Sequence, residues 1–259
     1  MALNYIDNFN TYLIFLFVCC RMAGLVFFNP IFGRSSIPVI VKIGLSLGLA
    51  LNTTAVYQGV FVQDYSAIET FLSMAKEFAV GFAIGYVVNI FMAVFHLAGE
   101  VMDLQMGYSM ATMYDPSSNS NISVTGNLVT IMFTLLFFIT DSHLNLMVVA
   151  SKSYSVIPIG MSGLSKECGV YAIELFGNMF TYAVQLAIPI IVVEVVVEVA
   201  VGILMKMVPN INVFVVNLQL KMIAGFVALF TLIPVIVKFL SKLNEIMMED
   251  IRTMITFLV

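Results

Sequence analysis

The sequence predicts an all-α, polytopic membrane protein of about six long hydrophobic helices, on three observations. The first is composition: of 259 residues, 61% are hydrophobic and only 10% charged, with a mean hydropathy of +1.05. A soluble domain is about 45–50% apolar and about 25% charged, so this chain has too little polar surface to cover a water-soluble globule. A helix bundle set in lipid or in other protein escapes that limit, because its outside is apolar as well. The second is run length: several apolar stretches approach the roughly 20 residues that a helix needs to cross the hydrocarbon core. The third is that no ten-residue alternating segments occur, as a transmembrane barrel would require.

Six stretches carry the expectation: Thr11–Phe28, Ile37–Tyr57, Phe78–His96, Ile122–Thr140, Leu175–Val201 and Met222–Phe239. Asn29-Pro30 and Gly33 separate the first two, and Pro38 begins the second, a position where proline is tolerated. The next gap holds Asp64 and few other signals. The third, Gly99–Asn121, is long and polar and ends in Asp115-Pro116-Ser117-Ser118-Asn119-Ser120-Asn121, a loop composition. The fourth, Asp141 to Gly169, contains only a short apolar piece, Leu144–Ala150. Pro209-Asn210-Ile211-Asn212 reads as a tight turn between helices, and Ser241–Val259 as an amphipathic helical tail.

Several classes are disfavoured. Eleven basic residues spread thinly over a chain of net charge −4 give no cluster that could neutralise phosphates, so no nucleic-acid partner is expected. Cys19, Cys20 and Cys168 lack metal or disulfide spacing and read as small apolar residues. His96 and His143 are isolated, so no metal or other cofactor is expected. No H-E-x-x-H or G-x-S-x-G motif supports an intramembrane enzyme. Residues 1–10 carry Asp7 and no basic residue, which reads as a retained helix rather than a signal peptide. Lysines and arginines are too evenly spread to fix orientation, with a lean toward cytoplasmic termini.

Three groups of residues invite roles. Gly44 and Gly48, like Gly81 and Gly85, lie four apart on one helix face, where small residues let another backbone approach. Packing within the bundle is the plain reading and a subunit interface the sharper one. Arg21 falls in the middle of the first helix, Glu194 and Glu198 share a face of the fifth, and Lys221 follows beyond the turn. A charge at mid-bilayer costs at least about 2.5 kcal/mol, so these groups need partners, protons or water. A proton relay through Glu194 and Glu198, as in a proton-coupled secondary transporter, is one alternative, although the two halves show no internal repeat. The segment from Ala98 to Pro116 mixes glycines with Met102, Met106, Met110 and Met113. Flexible methionines seal against varied surfaces, so the segment reads as a pliable gasket or as a buried re-entrant loop.

These pieces, in order, resemble the FliR family of flagellar type III export-gate proteins and its injectisome relatives, the SctT family. The resemblance rests on Arg21-Met-Ala-Gly24, Pro30-Ile-Phe-Gly33 and Ile37-Pro38, then Glu77-Phe-Ala-Val-Gly81-Phe-Ala-Ile-Gly85. It continues in Ala98-Gly99-Glu100, Asp103-Leu-Gln-Met-Gly107 and Asp115-Pro116. Farther on come His143, Ser153-Tyr154, Pro158-Ile-Gly160, Pro189, Glu198, Gly202, Pro209-Asn-Ile-Asn-Val-Phe214 and Lys221. The chain departs from the family mildly, at Lys206 and at Asn210. The resemblance implies a single membrane domain built as a FliP-like part, 1–172, followed by a FliQ-like helical hairpin and amphipathic tail, 173–259, the hairpin itself being roughly Leu175–Leu240. It implies a non-enzymatic subunit that forms, with FliP and FliQ, a channel in the bacterial inner membrane at the flagellar basal body, with FlhB as a further partner. That channel passes unfolded flagellar proteins, and spans read from hydropathy need not all cross lipid. A plug of the closed pore would fall at about Met106–Ile122, including Met106, Gly107, Met110, Met113, Asp115 and Pro116. The equivalent subunit of a virulence injectisome is the alternative within the same resemblance.

Overall fold

A computed structural model describes residues 2–57, 66–108, 123–160, 165–207 and 213–258. Among these residues there are helices and no strand. In chain order they are α1 (Ala2–Phe28), α2 (Val39–Val56), α3 (Ala67–Gln105), α4 (Val124–Ile139), α5 (Ser142–Val156), α6 (Lys166–Met207) and α7 (Val213–Phe257). Five are long and apolar enough to cross a membrane, six if the pair α4 and α5, bent by 69°, is taken as one span. The protein is a polytopic helical membrane protein, as composition and run length predict.

Local chemistry sets the ends of the helices. α1 stops before Pro30, and the Asn29 side-chain oxygen accepts the N–H groups of Ile31 at 2.8 Å and Phe32 at 3.3 Å, a turn that asparagine closes on itself. Lys42 of α2 then donates its ammonium to the Gly33 carbonyl at 2.8 Å, fastening the turn. α3 opens on a reciprocal cap: Ser66 N–H donates to Glu69 Oε2 at 2.8 Å, and Glu69 N–H to Ser66 Oγ at 3.4 Å. This Ser-x-x-Glu capping box starts α3 eleven residues before the Phe78 expected from hydropathy. α3 ends where Gly107 takes a φ of +76°, a left-handed backbone that glycine adopts without strain.

The short apolar piece after Asp141 is not a loop. It is the core of α5, which begins immediately after Asp141 turns into the left-handed region at φ 54°. The tail from Ser241 is helical, as the sequence predicts. It continues α7 without a break, and Leu243, Met247, Ile251 and Met254 form its buried stripe, the 3.6-residue spacing of one helix face.

The chain divides into two compact units, residues 1–91 with 137–176 and 244–259, and residues 92–136 with 177–243. In the first, α1 crosses α3 at glycines. A Cβ on Gly81 would overlap the Arg21 carbonyl oxygen, one on Gly24 the Phe78 carbonyl oxygen, and one on Gly85 would lie 3.2 Å from the Asn29 nitrogen. In the second, α3 and α4 meet just as closely, since a Cβ on Gly99 would overlap the Gly126 backbone. Asp103 holds the start of α4 there, accepting from Ser123 Oγ at 2.7 Å, from the Thr125 N–H at 3.3 Å and from the Thr125 hydroxyl.

These contacts separate the two glycine pairs read from the sequence. Gly81 and Gly85 pack within the chain, whereas a Cβ on Gly44 or Gly48 meets nothing within 4 Å. Gly81→Leu is therefore expected to cost more than about 3 kcal/mol, the top of the usual overpacking range, because it drives side chain into backbone. Gly44→Ala, which meets no neighbour, should raise the stability of the isolated chain by up to about 1 kcal/mol. Thermal unfolding of the detergent-extracted protein checks both.

Candidate functional site

Each unit holds a buried polar centre. In the first, Arg21 is 1% exposed and Glu77 0%. Close approach of α1 and α3 brings them together, with Arg21 Nε donating to Glu77 Oε2 at 2.6 Å. The remaining guanidinium N–H groups donate to Ser153 Oγ at 2.8 Å and to the Ile157 carbonyl at 3.3 Å. The guanidinium carbon sits 3.8 Å from the centre of the Tyr154 ring, a stacking to which a planar delocalised cation is suited. Glu77 Oε1 accepts the Gly160 N–H at 2.9 Å. Gly160 itself has φ +79°, so the turn after α5 can aim its amide at the carboxylate. Both carboxylate oxygens and all three guanidinium nitrogens are thus engaged, the condition under which a buried pair is tolerated.

The second centre lies on the facing sides of α6 and α7. Glu198 pairs with Lys221 at 3.3 Å, the glutamate 61% exposed and the lysine 13%. One turn away, Glu194 is fully buried against Gly225, where an added Cβ would stand 2.7 Å from Glu194 Oε1. Met106, at the end of α3, fills the rest of the notch: its sulfur would lie 2.5 Å from that Cβ. Asn217, Lys221 and Gly225 are four apart and form one face of α7, as Glu194 and Glu198 do on α6.

The structure thus sorts the residues singled out in the sequence. Arg21 is neutralised inside the chain, and Glu198 and Lys221 form a pair. Met106 is buried, and Gly107 ends α3 beside Leu218. Met110, Met113, Asp115 and Pro116, like Pro209 and Asn210, lie outside the described residues. Among the described residues no group of three His, Cys, Asp or Glu could hold a metal ion. The Nδ1 of His143 is buried without a hydrogen-bond partner, and its ring leans on Phe138 with centroids 5.0 Å apart. Sequence reading missed Glu77 as the partner of Arg21 and missed Gly225 altogether. The available signal for Glu77 was a carboxylate, next to Lys76, four residues before a glycine pair; Gly225 carried none, because a notch shows only when the opposing helix is in place.

Long apolar helices, glycine crossings and internally neutralised charges define the class: a helical membrane protein whose polar chemistry is buried rather than arranged around a ligand. The sequence profile of bacterial export proteins, family 1, matches residues 12–247. Flagellar biosynthetic protein FliR of Pectobacterium carotovorum subsp. carotovorum is 27% identical over 99% of both chains. The protein of that name from Escherichia coli is 27% identical over 86% of this chain and 85% of its own. The Yop proteins translocation protein T of Yersinia pestis is 27% identical over 85% of each. The chain belongs to the FliR family of bacterial export proteins.

Removing one member of the first centre leaves a buried, uncompensated charge. Arg21→Met and Glu77→Leu are each expected to cost about 3–5 kcal/mol, and the double variant clearly less than their sum. A double-mutant cycle on unfolding in mixed micelles measures the coupling.

Proposed function

We propose that this chain is a core subunit of the flagellar type III protein-export gate. With FliP and FliQ, and in contact with FlhB, it forms a channel that passes unfolded flagellar proteins across the bacterial inner membrane at the flagellar basal body. The observation that carries the proposal is the near full-length likeness to flagellar FliR proteins. The surface supports it. Only 17% of the most apolar window of α6 is covered within the chain, against 67% for α3. Val184, Ile188, Val192, Val195 and Val199 lie bare along α6, a face that requires lipid or sister subunits.

In this reading residues 1–172 act as the FliP-like part and 173–259 as the FliQ-like hairpin with its amphipathic end. The open glycines Gly44 and Gly48 give α2 a face on which a neighbouring subunit's backbone can settle closely. The plug role of Met106–Ile122 comes from the resemblance, and its composition suits a seal that must block ions yet yield to a polypeptide. The role is non-enzymatic: the chain lines and closes a passage, and other components supply energy. The Yersinia pestis relative supports the second reading, the equivalent subunit of a virulence injectisome.

Affinity purification of the tagged chain from its native bacterium is expected to bring down FliP and FliQ, and a deletion strain to lose both motility and export of flagellar proteins. Recovery alone, or a deletion strain that swims, rejects the proposal. Deleting residues 109–113 is expected to raise ion conductance of the assembled complex while leaving assembly intact. Single-channel recording of the reconstituted complex reads the difference.

A further inference from the structure

Among the described residues of the hairpin, Glu194 is a buried acid with no hydrogen bond or ion pair. Glu194 is 0% exposed, and neither of its carboxyl oxygens has a hydrogen-bond partner. Gly225 puts no side chain against it, and Met106 beside it presents a thioether, which donates no hydrogen bond. The charged groups that act on it are Lys221, across the hairpin, and Glu198, one turn along its own helix. Lys221 is already engaged by Glu198 at 3.3 Å. An ionised carboxylate left in this position without a donor is strongly disfavoured, whereas a neutral carboxylic acid is not. A metal ion would need several ligands, and among the described residues no such group exists.

The geometry points to Glu194 as a proton-binding site of the hairpin, one whose occupancy decides which glutamate holds Lys221. With the proton bound, Glu194 lies as a neutral acid against Gly225 and Met106, and Lys221 serves Glu198. When the proton leaves, the new anion needs the ammonium more than Glu198 does, because Glu194 is fully enclosed with no hydrogen-bond donor whereas Glu198 is 61% exposed. The transfer is short. Glu194 and Glu198 are four apart on α6, as Lys221 and Gly225 are on α7, so the lysine moves about one helical turn, roughly 5 Å. Gly225 is what makes room, since any side chain there would occupy the place of the carboxyl group. The inference concerns groups within one chain and does not depend on the export-gate reading.

Infrared difference spectroscopy on the full chain in lipid nanodiscs tests it. Subtracting the spectrum of Glu194→Gln from that of the unmodified protein at neutral pH is expected to leave the C=O stretch of one protonated carboxyl. Glu198→Gln, which frees Lys221 and keeps Glu194, is expected to lose that stretch with no net change in carboxylate absorbance, because the carboxylate of Glu194 replaces that of Glu198. Lys221→Met should retain the protonated band. A difference spectrum showing only carboxylate loss for Glu194→Gln overturns the proton site, and an unchanged protonated band in Glu198→Gln overturns the lysine transfer. If Glu194→Gln does not fold, the Glu198→Gln and Lys221→Met spectra against the unmodified protein decide the matter by the same bands.

Discussion

The ion pair between Arg21 and Glu77 is the interaction on which the first unit depends. Neither group has access to water, so the helices that carry them must bring them within hydrogen-bonding distance of each other or not form at all. That requirement dictates backbone composition. Side chains at Gly24 or Gly81 would hold α1 and α3 apart and open the pair. It also dictates the end of α5 and the turn beyond it, because the fork of the guanidinium has donors left over and the carboxylate has an acceptor left over. Ser153, the Ile157 carbonyl and the Gly160 amide satisfy them. Packing and electrostatics are therefore one constraint here: glycine supplies proximity, and proximity removes the charge.

The hairpin obeys a looser version of the same logic. Its pair, Glu198 and Lys221, is partly exposed and asymmetric, and beside it stands a carboxyl with no partner. Small residues again set the spacing, with Gly225 making the hollow that Met106 and Glu194 share. Membership in a bacterial export family fits this economy. A helical membrane protein keeps its polar groups for internal alignment and turns valines and phenylalanines outward.

Much of this was legible in the sequence because hydrophobic run length and composition act over many residues at once. The all-helical membrane class, the number of spans and the isolated state of Arg21 all derive from them. Helix ends were less legible. The Ser66 and Glu69 cap reads clearly once noticed, but it lies outside the hydropathic stretch, so hydropathy alone makes α3 shorter than it is. α5 was hidden by its polarity: Ser142, Asn145, Lys152 and Ser153 interrupt the apolar pattern, and two of its polar groups serve buried contacts instead of solvent. The glycine pairs show the limit most plainly. Gly44 with Gly48 and Gly81 with Gly85 have the same spacing, yet only the second pair touches another helix of the chain. Spacing states that a backbone can come close, and not which backbone does.

The span of the Arg21 cluster along the chain has a consequence for biogenesis. Glu77 is made 83 residues before the Gly160 amide that it finally accepts. At about 5–20 residues per second, ribosomes take roughly 4 to 17 s to cover that distance. For that interval the Arg21–Glu77 pair lacks the Gly160 amide that completes it in the folded chain. Arginine and glutamate must shield each other, or be shielded by the insertion machinery, until the turn after α5 arrives.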